Sequence, residues 1–270
     1  MKKLALTSLL AVFAISGANA ANVIDGNPLY MPKAGHFYSV SSVDSSTNNV
    51  DVFTFGEHVG YGIMDRWSFE LGTSITGDDW FTKTQWNELS ANTTVRFVDN
   101  TNWKWDVMGG YAVSPIWADG GKFMHSSFFG IENTEYTWTY GLRAGYAAGD
   151  LTIAGHIASD YTNTESFNWR NKGWHMLRAG VDAQYLLSDE WNLVGGAEYI
   201  KSLNRYSEEL GKWKLTFGAN YNIDETRFVG FYVSKDVVHK PAADLNGKMQ
   251  DGRWEIQDGF GFGAKFGIDF

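Results

Sequence analysis

The chain has 270 residues, a formal net charge of -9, no cysteine, four prolines and thirty glycines, with twelve tryptophans, thirteen tyrosines and eighteen phenylalanines. The lack of cysteine excludes disulfides, a lipoprotein anchor and thiol chemistry, and the acidic balance argues against a nucleic-acid partner. Aromatics are 16% of the chain, yet mean hydropathy is -0.28 and no apolar run after residue 20 approaches the roughly 20 residues of a spanning helix.

The first twenty residues have the three parts of an export signal: basic Lys2 and Lys3, an apolar run from Leu4 to Ile15, and the small-residue end Ala18-Asn19-Ala20. Cleavage is expected after Ala20, which removes both lysines and takes the formal charge from -9 to -11. Residues 21–34, with Pro28 and Pro32, read as an irregular periplasmic lead-in or as a short internal plug built on Val23, Ile24, Leu29, Tyr30 and Met31.

From residue 35 onward the apolar period is two. Trp67, Phe69, Leu71 and Ile75 alternate with Ser68, Glu70, Gly72 and Ser74. Tyr136, Trp138, Tyr140, Leu142, Ala144 and Tyr146 alternate with Glu135, Thr137, Thr139, Gly141, Arg143 and Gly145. Trp213, Leu215, Phe217, Ala219 and Tyr221 alternate with Lys212, Lys214, Thr216, Gly218 and Asn220. Such segments form strands with one apolar and one polar face, not helices. Twelve are expected: 35–43, 50–61, 66–76, 87–98, 103–114, 135–147, 151–160, 173–187, 191–201, 212–222, 226–236 and 254–269. In the second, Glu57 falls on the apolar face, which a bulge near Gly56 would repair. The implied architecture is all-β: a transmembrane antiparallel up-and-down barrel over residues 35–270, in which lipid-facing apolar residues alternate with polar residues facing the lumen.

The last strand is the most regular. Trp254, Ile256, Phe260, Phe262, Ala264, Phe266, Ile268 and Phe270 share one face, and Asp258 is its misfit. A final strand that ends in an aromatic residue, here Phe270, resembles the signal that outer-membrane β-barrels of Gram-negative bacteria present to their assembly machinery. The stretch Gly62-Ile63-Met64-Asp65-Arg66-Trp67 resembles the periplasmic turns of such proteins, with Asp65 able to bond backbone amides locally. The resemblance is to porin-like outer-membrane barrels in general. It implies an outer-membrane location, both termini periplasmic, and contact with outer-membrane lipid and lipopolysaccharide. Trp67, Trp103, Leu151, Trp191 and Phe228, each just after a short link, resemble an interfacial girdle. With the N-terminus inside, the links 62–65, 99–102, 148–150, 188–190 and 223–225 lie on the periplasmic side. The links 44–49, 77–86, 115–134, 161–172, 202–211 and 237–253 lie outside, each longer than any of the first set.

In this register Glu70, Glu88, Arg96, Lys104, Asp106, Arg143, Arg178, Asp182, Glu198, Lys212, Lys214, Glu255 and Lys265 point into the lumen, as does His156. They can form a satisfied ion-pair network that closes the barrel or a lining of a passage. For a passage, Arg143, Arg178 and Lys214 are the expected electropositive side and Asp106, Asp182 and Glu198 the opposing one, similar in type to the transverse field of porins. Loop 115–134 is apolar at its centre, and Trp117, Phe123, Phe128 and Phe129 are candidates to fold inward as a constriction, as the third loop of general porins does.

Catalytic patterns are weak. His125-Ser126-Ser127 matches the His-x-Ser letters of outer-membrane lipid hydrolases, but it sits in an apolar loop with no placed acid or carboxamide. Asp78-Asp79 lacks the Asp–His couple of outer-membrane aspartyl-type proteases. The histidines at 36, 58, 125, 156, 175 and 239 show no metal-ligand spacing, and no cofactor is implied. The expected function is therefore a non-enzymatic, narrow passive pore for small solutes. The alternatives are a non-conducting structural or surface-interaction barrel that acts through its loops and, less favoured, a lipid-active enzyme. If loop 115–134 folds inward, deleting residues 118–130 will raise single-channel conductance; unchanged conductance would exclude that fold.

Overall fold

The structure, a computed structural model, describes residues 27–78, 83–115, 134–166, 169–203, 211–224, 226–243 and 249–270. The period-two segments form β1 Phe37–Ser46, β2 Asn49–Met64, β3 Trp67–Asp78, β4 Lys83–Asp99, β5 Trp103–Pro115, β6 Thr134–Ala148 and β7 Leu151–Ser166. They continue as β8 Trp169–Leu186, β9 Trp191–Ser202, β10 Gly211–Asn222, β11 Arg227–Ala243, β12 Met249–Ile256 and β13 Gly261–Asp269. Each of β1 to β11 pairs antiparallel with the next, and β13 pairs with both β11 and β1, so the sheet closes on itself. At the seam the backbones of Phe37 and Phe270 exchange two 2.8 Å hydrogen bonds.

The closing stave is the expected strand 254–269 in two pieces. β12 ends where Ile256 faces Val237, and β13 begins where Gly261 faces Ser234. The closing side thus advances five residues while β11 advances three. The two extra residues restore the parity that Asp258 interrupts, so Trp254, Ile256, Phe260, Phe262 and Phe266 all remain outward and exposed. Gly259 takes the turn with φ +83, a conformation that glycine adopts without steric cost. The β1–β2 link stitches the break: Thr47 N–H donates to the Phe260 carbonyl at 2.9 Å, and Phe260 N–H to Thr47 Oγ1 at 2.7 Å.

Polarity is inside out. Trp103, Trp105, Trp138, Tyr140, Leu142, Phe217, Phe231 and many like them are exposed outward, while the buried set includes Glu70, Glu88, Arg96, Asp106, Asp160, Arg178 and Glu198. An exposed apolar surface this large is far beyond what single soluble chains carry.

Four expectations need correction. No bulge forms at Gly56: β2 pairs with β3 in unbroken register from Phe53 to Gly62. Glu57 does point outward, and its two carboxylate oxygens accept from the hydroxyls of Ser39 and Ser41 on β1 instead. Phe228 is not part of an outer girdle but is fully buried inside, against Tyr38; Trp67, Trp103, Leu151 and Trp191 do open their strands on the outward face. Asp65 accepts from the Ala34 amide at 3.3 Å, not from its own turn. Finally, the links do not sort strictly by length. Residues 65–66 and 149–150 turn in two residues at one end, but so do 47–48 at the other. The ladders run past the apolar belt into polar sequence, so strands such as β8, with 18 residues, exceed the roughly 9–11 that cross a bilayer.

At the short-turn end a polar side chain fixes several hairpins. Asn100 Oδ1 accepts from Trp103 N–H at 3.0 Å, and Ser188 Oγ from Trp191 N–H at 3.1 Å. Asp224 accepts from Arg227 Nε at 2.7 Å and from Thr226 N–H at 2.9 Å. The Arg227 guanidinium, then the Thr226 amide, hold the Asp224 carboxyl well below the usual carboxylate range. A carboxyl depressed in the fold contributes stability that is present above its unfolded pKa of about 3.9 and is lost only as pH falls through the lower folded value.

Two outcomes follow from these contacts. In an NMR titration of the folded protein, Asp224 should titrate below ordinary aspartates, and Arg227→Gln should return it toward about 3.9. A Cβ on Gly60 would lie 2.1 Å from the Tyr38 ring, whereas one on Gly155 meets nothing closer than 3.7 Å. Gly60→Ala should therefore cost about 1–3 kcal/mol in urea unfolding from lipid vesicles, and Gly155→Ala no more than about 0.5 kcal/mol.

Candidate functional site

Pairing across the ladders sets inward residues side by side in rows that run around the wall. One row reads Arg96, Asp106, Arg143, His156, Gly180, Glu198, Lys214 and Asp236 across eight successive strands, β4 to β11. A second reads Tyr38, Gly60, Glu70, Asn92, Gly110, Thr139, Asp160, Met176 and Ser202 on β1 to β9. Six of the fourteen residues expected in the lumen thus lie on a single row, and Glu70 on the other.

The first row opens on a fully buried acid. Asp106 Oδ1 accepts from Arg96 Nε at 2.8 Å, while Oδ2 accepts from Arg96 Nη2 at 3.2 Å and from Arg143 Nη2 at 2.6 Å and Nε at 2.9 Å. One carboxylate between two guanidiniums, each reached directly across a ladder, is the strong charge-assisted form of hydrogen bond. Arg96 Nη2 also donates to the Leu29 carbonyl at 2.7 Å, so the 27–36 segment enters the lumen here.

Further along, His156 crosses above Gly180 to reach Glu198 at 3.2 Å on one ring nitrogen and Asp182 at 3.2 Å on the other. Arg178 binds Asp160 through Nε at 2.7 Å and Nη2 at 3.0 Å, with Glu198 3.8 Å away. Thr139 Oγ1 donates to the same Asp160 at 2.6 Å. On the second row the Tyr38 ring lies over Gly60, and its hydroxyl donates to Glu70 at 2.6 Å. His58 stands 3.5 Å from Glu70. Lys212 donates to Asp236 at 2.8 Å. Near the other end of the lumen Tyr232 lies over Gly263 and bonds Asp44, and Lys265 stands beside Gly230.

This geometry overturns the expected electropositive wall. Arg143 and Arg178 do not line up with Lys214 against separated acids: each is clamped by a carboxylate on a neighbouring strand, and Lys214 sits directly between Glu198 and Asp236 on its row. Charges alternate along the wall instead of segregating across it. The sequence reading also omitted His58, Asp44, Glu135, Asp160 and Asp236. All five have the parity of inward residues, but Asp44 lay one residue past an expected strand and the three other acids at strand ends. Among the described residues no group of three or more metal-ligating side chains forms. Trp117, Phe123, Phe128 and Phe129, like His125-Ser126, lie outside the described residues.

One inward group stands open. The Asp182 side chain is 41% exposed although it points into the lumen, so open space lies beside it.

Comparison of the sequence with protein-family models and with curated proteins finds no match. Solved structures do resemble it. The translocator domain of the autotransporter NalP from Neisseria meningitidis is 11% identical with a TM-score of 0.56, over 100% of this chain and 97% of that one. An outer-membrane channel from Pseudomonas putida F1 is 11% identical with a TM-score of 0.54, over 93% and 99%. The NanC porin is 11% identical with a TM-score of 0.53, over 86% and 98%. The chain therefore has the fold of the outer-membrane β-barrels, a closed antiparallel barrel of twelve staves.

Proposed function

We propose that this chain resides in an outer membrane as a non-catalytic barrel and acts as a narrow passive pore for small solutes, with a preference for cations. The outward belt of Trp, Phe, Tyr and Leu suits a lipid surround, and Phe270, exposed at the seam, suits recognition by the assembly machinery. Lipopolysaccharide is the expected neighbour at the outer leaflet. A twelve-stave barrel lies between those of eight strands, which side chains fill, and those of about sixteen, which hold a water channel.

The observation that carries the pore reading is the solvent-exposed, inward-facing Asp182. Preference for cations rests on the lumen's balance: Asp44, Glu135, Asp160 and Asp236 add four carboxyl groups, and His58 one imidazole, to an expected lining of nearly equal acids and bases. A second reading, a non-conducting barrel that acts through its loops, is favoured by a different observation. The plug residue Leu29 is only 2% exposed within the lumen base, and most inward charges already have partners.

Planar-bilayer recording of the refolded chain separates the two. The pore reading expects small, ohmic single-channel steps and a reversal potential on the cation side in a KCl gradient. Asp182→Asn should bring that potential toward zero without altering the fold. An electrically silent bilayer would leave the non-conducting reading; a marked anion preference would restore a dominant role for Arg143, Arg178 and Lys214.

A further inference from the structure

Residues 27–36 occupy the lumen base without joining the sheet. They fold on themselves: Tyr30 N–H donates to the Asn27 carbonyl at 2.9 Å, Leu29 N–H to Asn27 Oδ1 at 2.8 Å, and His36 N–H to the Lys33 carbonyl at 3.0 Å. The backbone bonds the wall at Gly35 and His36, which pair with Gly62 at 2.8 and 3.0 Å, and at Ala34, whose N–H donates to Asp65 Oδ1 at 3.3 Å.

The wall is shaped to receive this segment. A Cβ on Gly145 would stand 2.7 Å from the Leu29 side chain, and one on Gly62 would stand 2.0 Å from the Lys33 carbonyl. Two small residues thus form a seat that any side chain would fill. The tip is latched at two points, by Arg96 on the Leu29 carbonyl at 2.7 Å and by the Tyr30 hydroxyl on Asp269 at 2.9 Å. The Tyr30 ring also meets Tyr38 edge-on, with centroids 5.9 Å apart.

Neither latch is needed by the barrel. Arg96 keeps both oxygens of Asp106 whether or not Leu29 is present, and Asp269 is held in the seam by backbone bonding from its own N–H to Thr226 at 2.8 Å. Departure of the segment therefore leaves the wall intact. The geometry also supplies a hinge. Gly35 has φ +84, with nothing within 4 Å of a built Cβ, and Pro28 and Pro32 restrict the backbone beyond it.

We infer that residues 27–34 are a releasable gate that swings about Gly35 and alternately fills and clears the lumen base. The inference rests on the pore reading for its consequence, two conductance levels, but the movement stands apart from it. In the seated state Leu29 blocks the base; in the released state Arg96 Nη2 turns a free donor to the passage.

The chain has no cysteine, so a designed pair is unambiguous. Leu29→Cys with Gly145→Cys places one thiol on the tip and one on its seat, and the reduced pair controls for the contact of the new Cβ with the Ile153 carbonyl, 2.7 Å away. In bilayers the parent chain should alternate between a low and a high conductance. The oxidised pair should stay in the low level and recover on reduction, and Tyr30→Phe should raise the time spent in the high level several-fold. A single level, the same in all three, would overturn the gate.

Labelling of the single variant Leu29→Cys by a maleimide in folded, vesicle-inserted protein reads the movement without current. Labelling that Tyr30→Phe accelerates several-fold supports the gate, and in an electrically silent barrel it removes only the pore. No labelling until urea unfolds the barrel overturns the gate whether or not the barrel conducts.

Discussion

A side chain inside a closed antiparallel sheet has a neighbour on each flank in its own row, at a spacing too close for two long groups to lie down together. This lumen meets that constraint by setting a glycine beside the long polar group. Tyr38 crosses Gly60 to reach Glu70, His156 crosses Gly180 to reach Glu198, and Tyr232 crosses Gly263 to reach Asp44. Phe228 lies over Gly267 in the same way, and Asn92 over Gly110. The glycines that look dispersed along the sequence are thus the counterparts of particular aromatic and polar residues on the adjoining strand. They fix which pairs form.

The same rows explain how so much charge is accommodated. A buried ion pair recovers its desolvation cost only when its geometry is good and its remaining donors and acceptors are met. Asp106 meets that condition with four hydrogen bonds from two arginines, and Arg96 spends a remaining donor on the Leu29 carbonyl. Losing one member of such a set typically costs about 3–5 kcal/mol, because the survivors remain buried and unpaired. Charge here serves first to hold adjacent staves together. Any influence on permeation falls to the groups left open to solvent, of which Asp182 is the clearest.

The fold was legible because period two is a direct imprint of a sheet with unlike faces. Strand starts at Trp103, Leu151 and Trp191 were visible to the residue, and the start at Trp67 to within one. Where the reading failed, it had leaned on a local analogy instead of parity. Phe228 follows a turn, as girdle aromatics do, but it lies an odd number of residues from outward Val229, Phe231 and Val233, which already placed it inside. Glu57 suggested a bulge because a carboxylate on an apolar face looked unsupported; the serines at 39 and 41 on the neighbouring strand were its support. Strand ends were drawn where hydrophobicity faded, whereas backbone pairing continues until the chain turns, so Asp44 was missed; Asp160 and Asp236, each the last residue of its expected strand, had inward parity that was not followed to the end. The seat formed by Gly62 and Gly145 was beyond reach, since nothing along the chain marks two wall positions as facing a segment from another part of the sequence.

The interrupted closing stave has a wider consequence. In a sheet with one greasy and one charged face, a single inserted residue exchanges the faces of everything beyond it, whereas two leave the pattern unharmed. The excess between Ile256 and Gly261 is two. Lengthening by pairs can thus accumulate at a rim without disturbing the lumen, whereas an odd insertion has to be absorbed at a link or by a one-residue bulge, as where Ser74 and Ile75 face Glu88 and Trp86. Related chains should therefore differ in stave length by even numbers, and the register around the ring can stay fixed while its outer height drifts.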